Sequence, residues 1–478
     1  MQARTAAANL DPPRLAALAQ RCCTWSERWF PDAFVFAMLA VAAVAAGAAF
    51  IGVPPLNVAR NFEAGFWSLI PFTMQMSFVI IGGYITADSP PVTRLIQRLA
   101  TVPRSGRGAV VLIALFGIVL SLLHWGLSLV FASLLARTLA QRPDLRMDYR
   151  AGGAAACLGI GSVWALGLSS SAAQLQANPD SMPAGLLHIT GVIPFTETVL
   201  LWQSLLVAAV IAGVSLWLAW QSAPPDGQAR TLRELGIEIP PREMTLPVRT
   251  RPGEWLEYSP IPNLFLALLG LAALVHEFMA KSATAVLADL NTYNFIFLMA
   301  ALLLHWRPRR LLESLARSVP SITGVLIQFP LLGAIAAIMT SAHNAAGQTL
   351  ATMLSHAFAH IASHSTFALV VGAYSALLGL FVPSGGGKWI IEAPYVMQAA
   401  NDLRYHLGWA VQIYNAAEAL PNLINPFWML PVLGILKLRA RDLIGFTFVQ
   451  FVFNLPLVLI LLWLLGMTLN YHPPIPAP

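Results

Sequence analysis

Apolar residues in this chain come in long runs rather than in alternation. Runs at roughly 32–53, 64–88, 149–176, 191–220, 262–280, 291–306, 314–341, 406–436 and 442–468 predict nine helical crossings of a bilayer. A full crossing takes about 20 predominantly apolar residues. Two further apolar stretches, 108–140 and 366–400, are broken in the middle by residues that a helix does not continue through cheaply. The break is His124-Trp125-Gly126 in the first and Pro383-Ser384-Gly385-Gly386-Gly387 in the second. Three glycines cost chain entropy, and a proline removes a backbone donor. Lipid cannot satisfy the freed backbone groups, so each break must face protein or a water-filled cavity. The arms of the second stretch, about 12–15 residues, also fall short of a crossing. Both stretches therefore read as re-entrant helical hairpins with polar tips.

The order of these elements repeats. Phe72-Thr73-Met74-Gln75-Met76 in one crossing is matched by Val325-Leu326-Ile327-Gln328-Phe329 in another. Each is followed by a hairpin tip, and then by a crossing with a polar break. The break is Trp164 to Ser171 in the first half and Glu418-Ala419-Leu420-Pro421-Asn422-Leu423-Ile424-Asn425-Pro426 in the second. The extra crossing at 262–280 turns the second set upside down. The predicted fold class is an all-α polytopic membrane protein made of two inverted repeats with re-entrant hairpins and broken helices. That plan belongs to secondary transporters with a midplane site. The expected divisions are an N-terminal cytoplasmic segment (1–31), a first transmembrane repeat (32–220), a polar cytoplasmic linker (221–261) and a second repeat (262–478). The apolar run at 33–53 is too long for a signal-peptide core and reads as a retained first helix.

Composition sharpens this picture. Of 478 residues, 57% are hydrophobic and 10% charged, with a mean hydropathy of +0.67. Soluble domains hold about 25% charged residues. The net charge of +6 becomes informative once placed on the loops. With the N-terminus inside, 24 of the 28 basic residues fall in cytoplasmic segments, and Arg60, Lys281, Arg404 and Lys388 are the exceptions. The positive-inside rule thus predicts a cytoplasmic N-terminus and a periplasmic C-terminus. A true double crossing by either hairpin would leave those loops where they are, so charge alone does not establish re-entrance. The three cysteines, at 22, 23 and 157, form neither a disulfide framework nor a zinc spacing. No metal site or other cofactor is expected, and nucleic acid is not an expected partner.

The candidate chemistry lies at the tips and breaks. Ser384, Gly385, Gly386 and Gly387 can cradle an anion with backbone amides and a hydroxyl, or can serve close helix packing. A nucleotide loop is excluded, because Trp389 follows Gly387-Lys388 where Ser or Thr is required. Lys388 and Glu392 share a helical face at i, i+4. Lys388 is either a partner for a substrate carboxylate or the partner of Glu392, and Glu392 is a candidate for ion coupling. Glu418 lies mid-crossing, where a carboxylate is expensive and marks function by default; it is the second coupling candidate. Asn422 and Asn425 around Pro421 supply oxygens beside it. Trp125 and Gly126 at the first tip, with Ser169 and Ser171 in the first break, complete the substrate-binding set. His356, His360 and His364 share a face without a nearby carboxylate or cysteine, and suit a helix lying in the outer interface better than a metal site. Its inverted partner would run from Arg94 to Ala100, with Arg94, Arg98 and Thr101 facing water.

Motifs along nearly the whole chain resemble the short-chain fatty acid transporter family of acetoacetate and butyrate uptake proteins. They include Arg28-Trp29-Phe30-Pro31-Asp32, Gly65-Phe66-Trp67, Met74-Gln75-Met76, Trp125-Gly126, Gln328-Phe329-Pro330, Val382-Pro383-Ser384-Gly385-Gly386-Gly387 and Asn425-Pro426-Phe427-Trp428. The resemblance implies carboxylate transport across the bacterial inner membrane by an elevator-type protein, in relatives often a homodimer. The chain departs from the family at Lys388 and Glu392, where members carry His and Gln after the glycines. The expected function is secondary active transport of short monocarboxylates such as acetoacetate or butyrate, coupled to H⁺ or Na⁺, by a protein seated in membrane lipid. The alternatives are another organic anion such as a dicarboxylate, a membrane-embedded enzyme, or a channel. Two carboxylates would want more positive charge than Lys388 brings, an enzyme would need a catalytic cluster at one interface, and the discontinuous-helix repeat speaks against a channel. The chain is not expected to be an enzyme.

Overall fold

The computed structural model describes residues 14–474 apart from residues 16, 19–20, 22–27, 29–32, 69, 178, 180–183, 240–245, 247, 351–352, 354–360 and 381–384. The elements formed by the described residues are helical throughout. By length and apolarity, Pro55–Ala87, Trp202–Ser222, Ile261–Ala280 and Ala440–Gly466 can each cross a membrane, and Ala37–Phe50 and Leu290–His305 are shorter apolar helices. Gly106–Leu123 passes the same test, but the position of its ends makes it an arm of a hairpin, as shown below. Two spans are bent. Pro308–Ile322 meets Leu326–Met339 at 43°, and Leu407–Leu423 meets Pro426–Leu436 at 72°.

Three boundaries differ from those expected. The crossing placed at 191–220 begins at Trp202, because the segment after Pro194 forms a short 3₁₀ turn and further turns. The one placed at 64–88 starts at Pro55, a residue suited to a first helical turn. The run at 314–341 divides into an amphipathic helix, Pro308–Ser318, and the apolar helix Thr323–Ser341, with Pro320 in the 3₁₀ turn between them. Proline cannot donate to the preceding turn, so the break falls there. The amphipathic helix Pro90–Leu99 buries Thr93 and Ile96, while Arg94, Arg98 and Thr101 are exposed as expected. Its anticipated counterpart, with His356 and His360, lies outside the described residues. His364 sits in turns before the second hairpin, its ring edge-on to Tyr405 at 5.4 Å.

Hydrogen bonds tie the basic loops into one face of the molecule. The Arg142 guanidinium donates to the carbonyls of Ala100 and Pro103, and Arg107 donates to Ala223. Arg146 reaches the Asp226 carbonyl and pairs with Glu234 at 2.8 Å. Arg317 pairs with Asp88 at 2.6 Å, Arg309 with Glu257 at 3.3 Å, and Lys437 donates to the Glu238 carbonyl. In the linker, the backbone N–H of Thr250, and then the Arg251 side chain, hold the Glu254 carboxyl down at about 2. The opposite face is joined by Asn344 donating to Ile51, Asn401 to Ile189, Tyr471 to Asn401 and Gln203 to Thr468.

This division fixes the two hairpins. The first, Gly106–Leu123 with Trp125–Ala140, begins and ends on the basic face; the second, Phe367–Gly379 with Gly385–Asp402, begins and ends on the other. The first tip is buried inside the protein, and in the second Gly385 is buried and Gly386 partly so, among the described residues. His124 is 1% exposed, and its Nδ1 caps the second arm by accepting from the Leu127 N–H at 3.1 Å. Opposed entry with tips so placed is the re-entrant arrangement anticipated above.

Candidate functional site

Breaking a helix in an apolar interior frees carbonyls that lipid cannot satisfy. Each half of this chain meets that need within itself. In the first, the Leu168 N–H and Ser169 hydroxyl of the broken span donate to the carbonyls of Leu122 and Ser121, at 2.7 and 3.1 Å. In the second, the Asn425 amide donates to the Leu380 carbonyl at 3.1 Å, and its Oδ1 accepts from the Phe427 N–H. Ser169 and Asn425 thus hold corresponding places in the two repeats, where a polar residue of the broken span closes the first arm of its own hairpin.

Contacts between the halves bring the breaks together. Trp125, at the first tip, packs edge-to-face on Trp428 of the second broken span, with centroids 5.3 Å apart. The second tip lies on the first broken span: a Cβ at Gly385 would come within 2.7 Å of the Trp164 ring, and one at Gly386 within 3.2 Å of Ser171. Glycine is needed at 385 because any side chain would meet that ring. Asn422 donates to the Ile160 carbonyl at 3.1 Å, and Leu423 fills the space a Cβ at Gly161 would take.

Three ionisable side chains are buried here. Lys388 Nζ donates to the Ser375 carbonyl at 2.7 Å, stands 3.4 Å from Glu392 Oε1 and lies 4.7 Å from the centroid of the Tyr414 ring. Glu392 Oε2 accepts from the Ser375 hydroxyl at 2.6 Å. Glu418 is 1% exposed, and neither of its carboxylate oxygens has a hydrogen-bond partner. It points toward the second tip, since its Oε2 would lie 3.5 Å from a Cβ at Gly385. The Tyr414 hydroxyl, one turn before Glu418, donates to the Gly385 carbonyl at 2.6 Å. Around Trp428 gathers an aromatic cluster of Trp125, Trp164, Phe329 and Phe427, with Phe329 stacked on Phe427 at 4.5 Å.

The structure therefore brings together Gly385, Gly386, Lys388, Glu392, Glu418 and Ser171. Trp125 meets the second break through Trp428, and Asn422 and Asn425 bond the Ile160 and Leu380 carbonyls. Gly387 follows in the first turn of the second arm, and Ser169 is committed to closing the first hairpin. Gly126 sits apart from the cluster, against Val79, which a Cβ there would meet at 2.4 Å. Ser384 lies outside the described residues. Sequence reasoning missed Trp164, Trp428, Tyr414 and Ser375. Tyr414 could have been found from its i, i+4 spacing to Glu418, whereas the partnership of Ser375 with Lys388 and Glu392 depends on the hairpin closing.

Two opposed re-entrant hairpins, two broken spans and a buried charged cluster define a polytopic helical membrane protein. The chain belongs to the short chain fatty acid transporter family, whose model matches residues 14–465. The family is one of transporters. A protein of Escherichia coli (strain K12), provisionally named as a short-chain fatty acid transporter, is 31% identical over 431 residues, 90% of this chain and 94% of that protein. One of Haemophilus influenzae (strain ATCC 51907 / DSM 11121 / KW20 / Rd), with the same provisional name, is 26% identical over 454 residues, 92% of this chain and 98% of its own. Among solved structures, the YdaH transporter of Alcanivorax borkumensis, described as having an unusual topology, aligns over 95% of this chain and 100% of its own. Its sequence identity is 17% and its TM-score 0.47.

Proposed function

We propose that this protein carries short monocarboxylates, acetoacetate and butyrate among them, across the bacterial inner membrane by secondary active transport coupled to H⁺ or Na⁺. The observation that carries this reading is the meeting of both hairpin tips with the opposite repeat's broken span, around Lys388, Glu392 and Glu418. Such a site can be opened to either side by moving one set of elements against the other, an elevator-type motion. The divisions at 1–31, 32–220, 221–261 and 262–478 follow the two repeats. The basic face is assigned to the cytoplasm, with 1–31 and the linker on it, and the C-terminus to the periplasm. The helix Ile261–Ala280, apolar and largely exposed, suits lipid or a second copy of the chain in a homodimer.

Within the site, the coupling cation is assigned to Glu418, with Glu392 held by Lys388. The substrate as a whole is assigned to the region of the second tip, Ser171, Asn422, Asn425 and Trp125. A dicarboxylate fits less well, because Lys388 is the one Lys or Arg near the tips among the described residues and Glu392 already engages it. Uptake of radiolabelled acids into proteoliposomes, under imposed H⁺ or Na⁺ gradients, tests the proposal. Butyrate and acetoacetate should accumulate under at least one gradient, and succinate should not. Failure of every short monocarboxylate, or preference for succinate, would refute it.

A further inference from the structure

The unpartnered polar atoms near the tips divide by sign. Glu418 Oε1 and Oε2 and Asn422 Oδ1 are acceptors without a donor. The indole N–H groups of Trp164, Trp428 and Trp389, and Nε2 of His124, also lack a partner. Of these, Trp164 and Trp428 belong to the aromatic cluster at the two breaks, whereas Trp389 lies against Tyr414 and His124 against Tyr293 and Phe297. Trp164 is 2% exposed and Trp428 5%, and their rings lie 6.4 Å apart in the aromatic cluster. Buried indole N–H groups ordinarily find a partner, and an unmet one is costly. Acceptors of this kind suit a cation, whereas indoles can serve only an acceptor or an anion.

We infer that the Trp164 and Trp428 indoles are the donors that receive the substrate carboxylate, and that Trp125, Phe329 and Phe427 form the wall for its acyl chain. The inference rests on the reading of this protein as a monocarboxylate transporter. It also accounts for selectivity without a free positive charge. Lys388 is engaged by Glu392 and the Ser375 carbonyl, so neutral donors must do most of the binding. A short apolar tail can lie on aromatic rings. The second carboxylate of a diacid would instead meet their electron-rich faces, which disfavour an anion.

The test replaces each indole in the full-length protein in proteoliposomes. Trp164→Phe and Trp428→Phe remove the donor, as does 3-benzothienylalanine incorporated at either position, which keeps the ring shape and serves where a Phe variant fails to fold. Uptake is measured for straight-chain acids from acetate to hexanoate. The expected result is a rise in butyrate KM of about tenfold or more at each position, with maximal rate little changed. Phe427→Ala should shift the preference toward longer acids. A fall in maximal rate with KM unchanged, or a KM rise at one position alone, would overturn the paired-donor assignment. Unchanged KM at both positions, in a protein whose native form transports butyrate, overturns the indole assignment and leaves the transport reading standing. A native protein inactive toward every acid in the series overturns both.

Discussion

The ammonium of Lys388 stands 3.4 Å from Glu392 Oε1, and neither side chain has any exposed surface. At that distance, with an effective dielectric of about 20, the attraction is worth roughly 5 kcal/mol, and desolvating two ions costs a comparable amount. The pair therefore adds little net stability, but breaking it leaves one buried charge uncompensated. Lys388→Gln alone should destabilise the protein by about 3–5 kcal/mol, whereas Lys388→Gln with Glu392→Gln should recover most of the loss. Thermal unfolding of the purified variants measures this. A double variant as unstable as the single one would contradict the pairing. One that regains stability but keeps a raised butyrate KM would show that Lys388 also touches substrate.

Close approach of backbones should make one glycine indispensable and another dispensable. A Cβ at Gly159 would lie 2.2 Å from the Gly117 carbonyl oxygen, backbone that cannot swing aside. Gly159→Ala must push the first hairpin off its broken span, at a cost of about 1–3 kcal/mol or more. Gly213 sits inside the helix Trp202–Ser222 with no atom near its missing side chain. Gly213→Ala should be neutral or stabilise by about 0.4–1 kcal/mol. Unfolding temperatures of the two variants should move in opposite directions or, at least, differ clearly. Equal values would show that the hairpin and span do not meet as described.

The legible part of this fold was what membrane physics imposes on composition. Long apolar runs, the Pro383 to Gly387 break and the Arg-rich loops sufficed for the helical class, the hairpins and the basic face. Of the nine crossings drawn, the described residues hold five helices long and apolar enough to span, one of them a hairpin arm, or seven with the bent pairs. The boundaries that slipped, at Pro55, Trp202 and Pro308–Ser318, lie where an apolar run continues into a helix that does not cross or into prolyl turns. Hydropathy does not register such a change of direction. In the site, Glu418, Glu392 and Lys388 stood out because charge is expensive in an apolar run. Trp164 and Trp428 did not, since a tryptophan in a membrane helix is ordinary until its N–H is seen to lack an acceptor. Ser375 was invisible for another reason: it lies 17 residues from Glu392, and hairpin closure joins them.

The orientation is tested by labelling. In a chain with Cys22, Cys23 and Cys157 changed to Ser, Gly227→Cys lies exposed on the basic face and Ala346→Cys exposed on the other. An impermeant maleimide should label Ala346→Cys in intact cells and Gly227→Cys in inverted vesicles. The reverse pattern would put the basic face outside, against the positive-inside rule.

Coupling should depend on Glu418. Its two oxygens have no donor, and Asn422, four residues on, presents an equally unpartnered Oδ1. A carboxylate at this depth is tolerated when neutralised by a proton or paired with a cation, and a set of acceptors is what either would need. If the cation must occupy Glu418 before the hairpins move empty of substrate, Glu418→Gln fixes the site in its neutral form. The variant should then still exchange labelled butyrate for unlabelled butyrate across proteoliposomes, because exchange requires no net cation movement. Accumulation against a gradient should fall by at least about tenfold, the loss of roughly 1.4 kcal/mol of coupling. Measuring both on one preparation separates coupling from folding, since an unfolded protein loses exchange as well. Native-level accumulation by Glu418→Gln would move the coupling role to Glu392, and Glu392→Gln with Lys388→Gln should then be the variant that exchanges without accumulating.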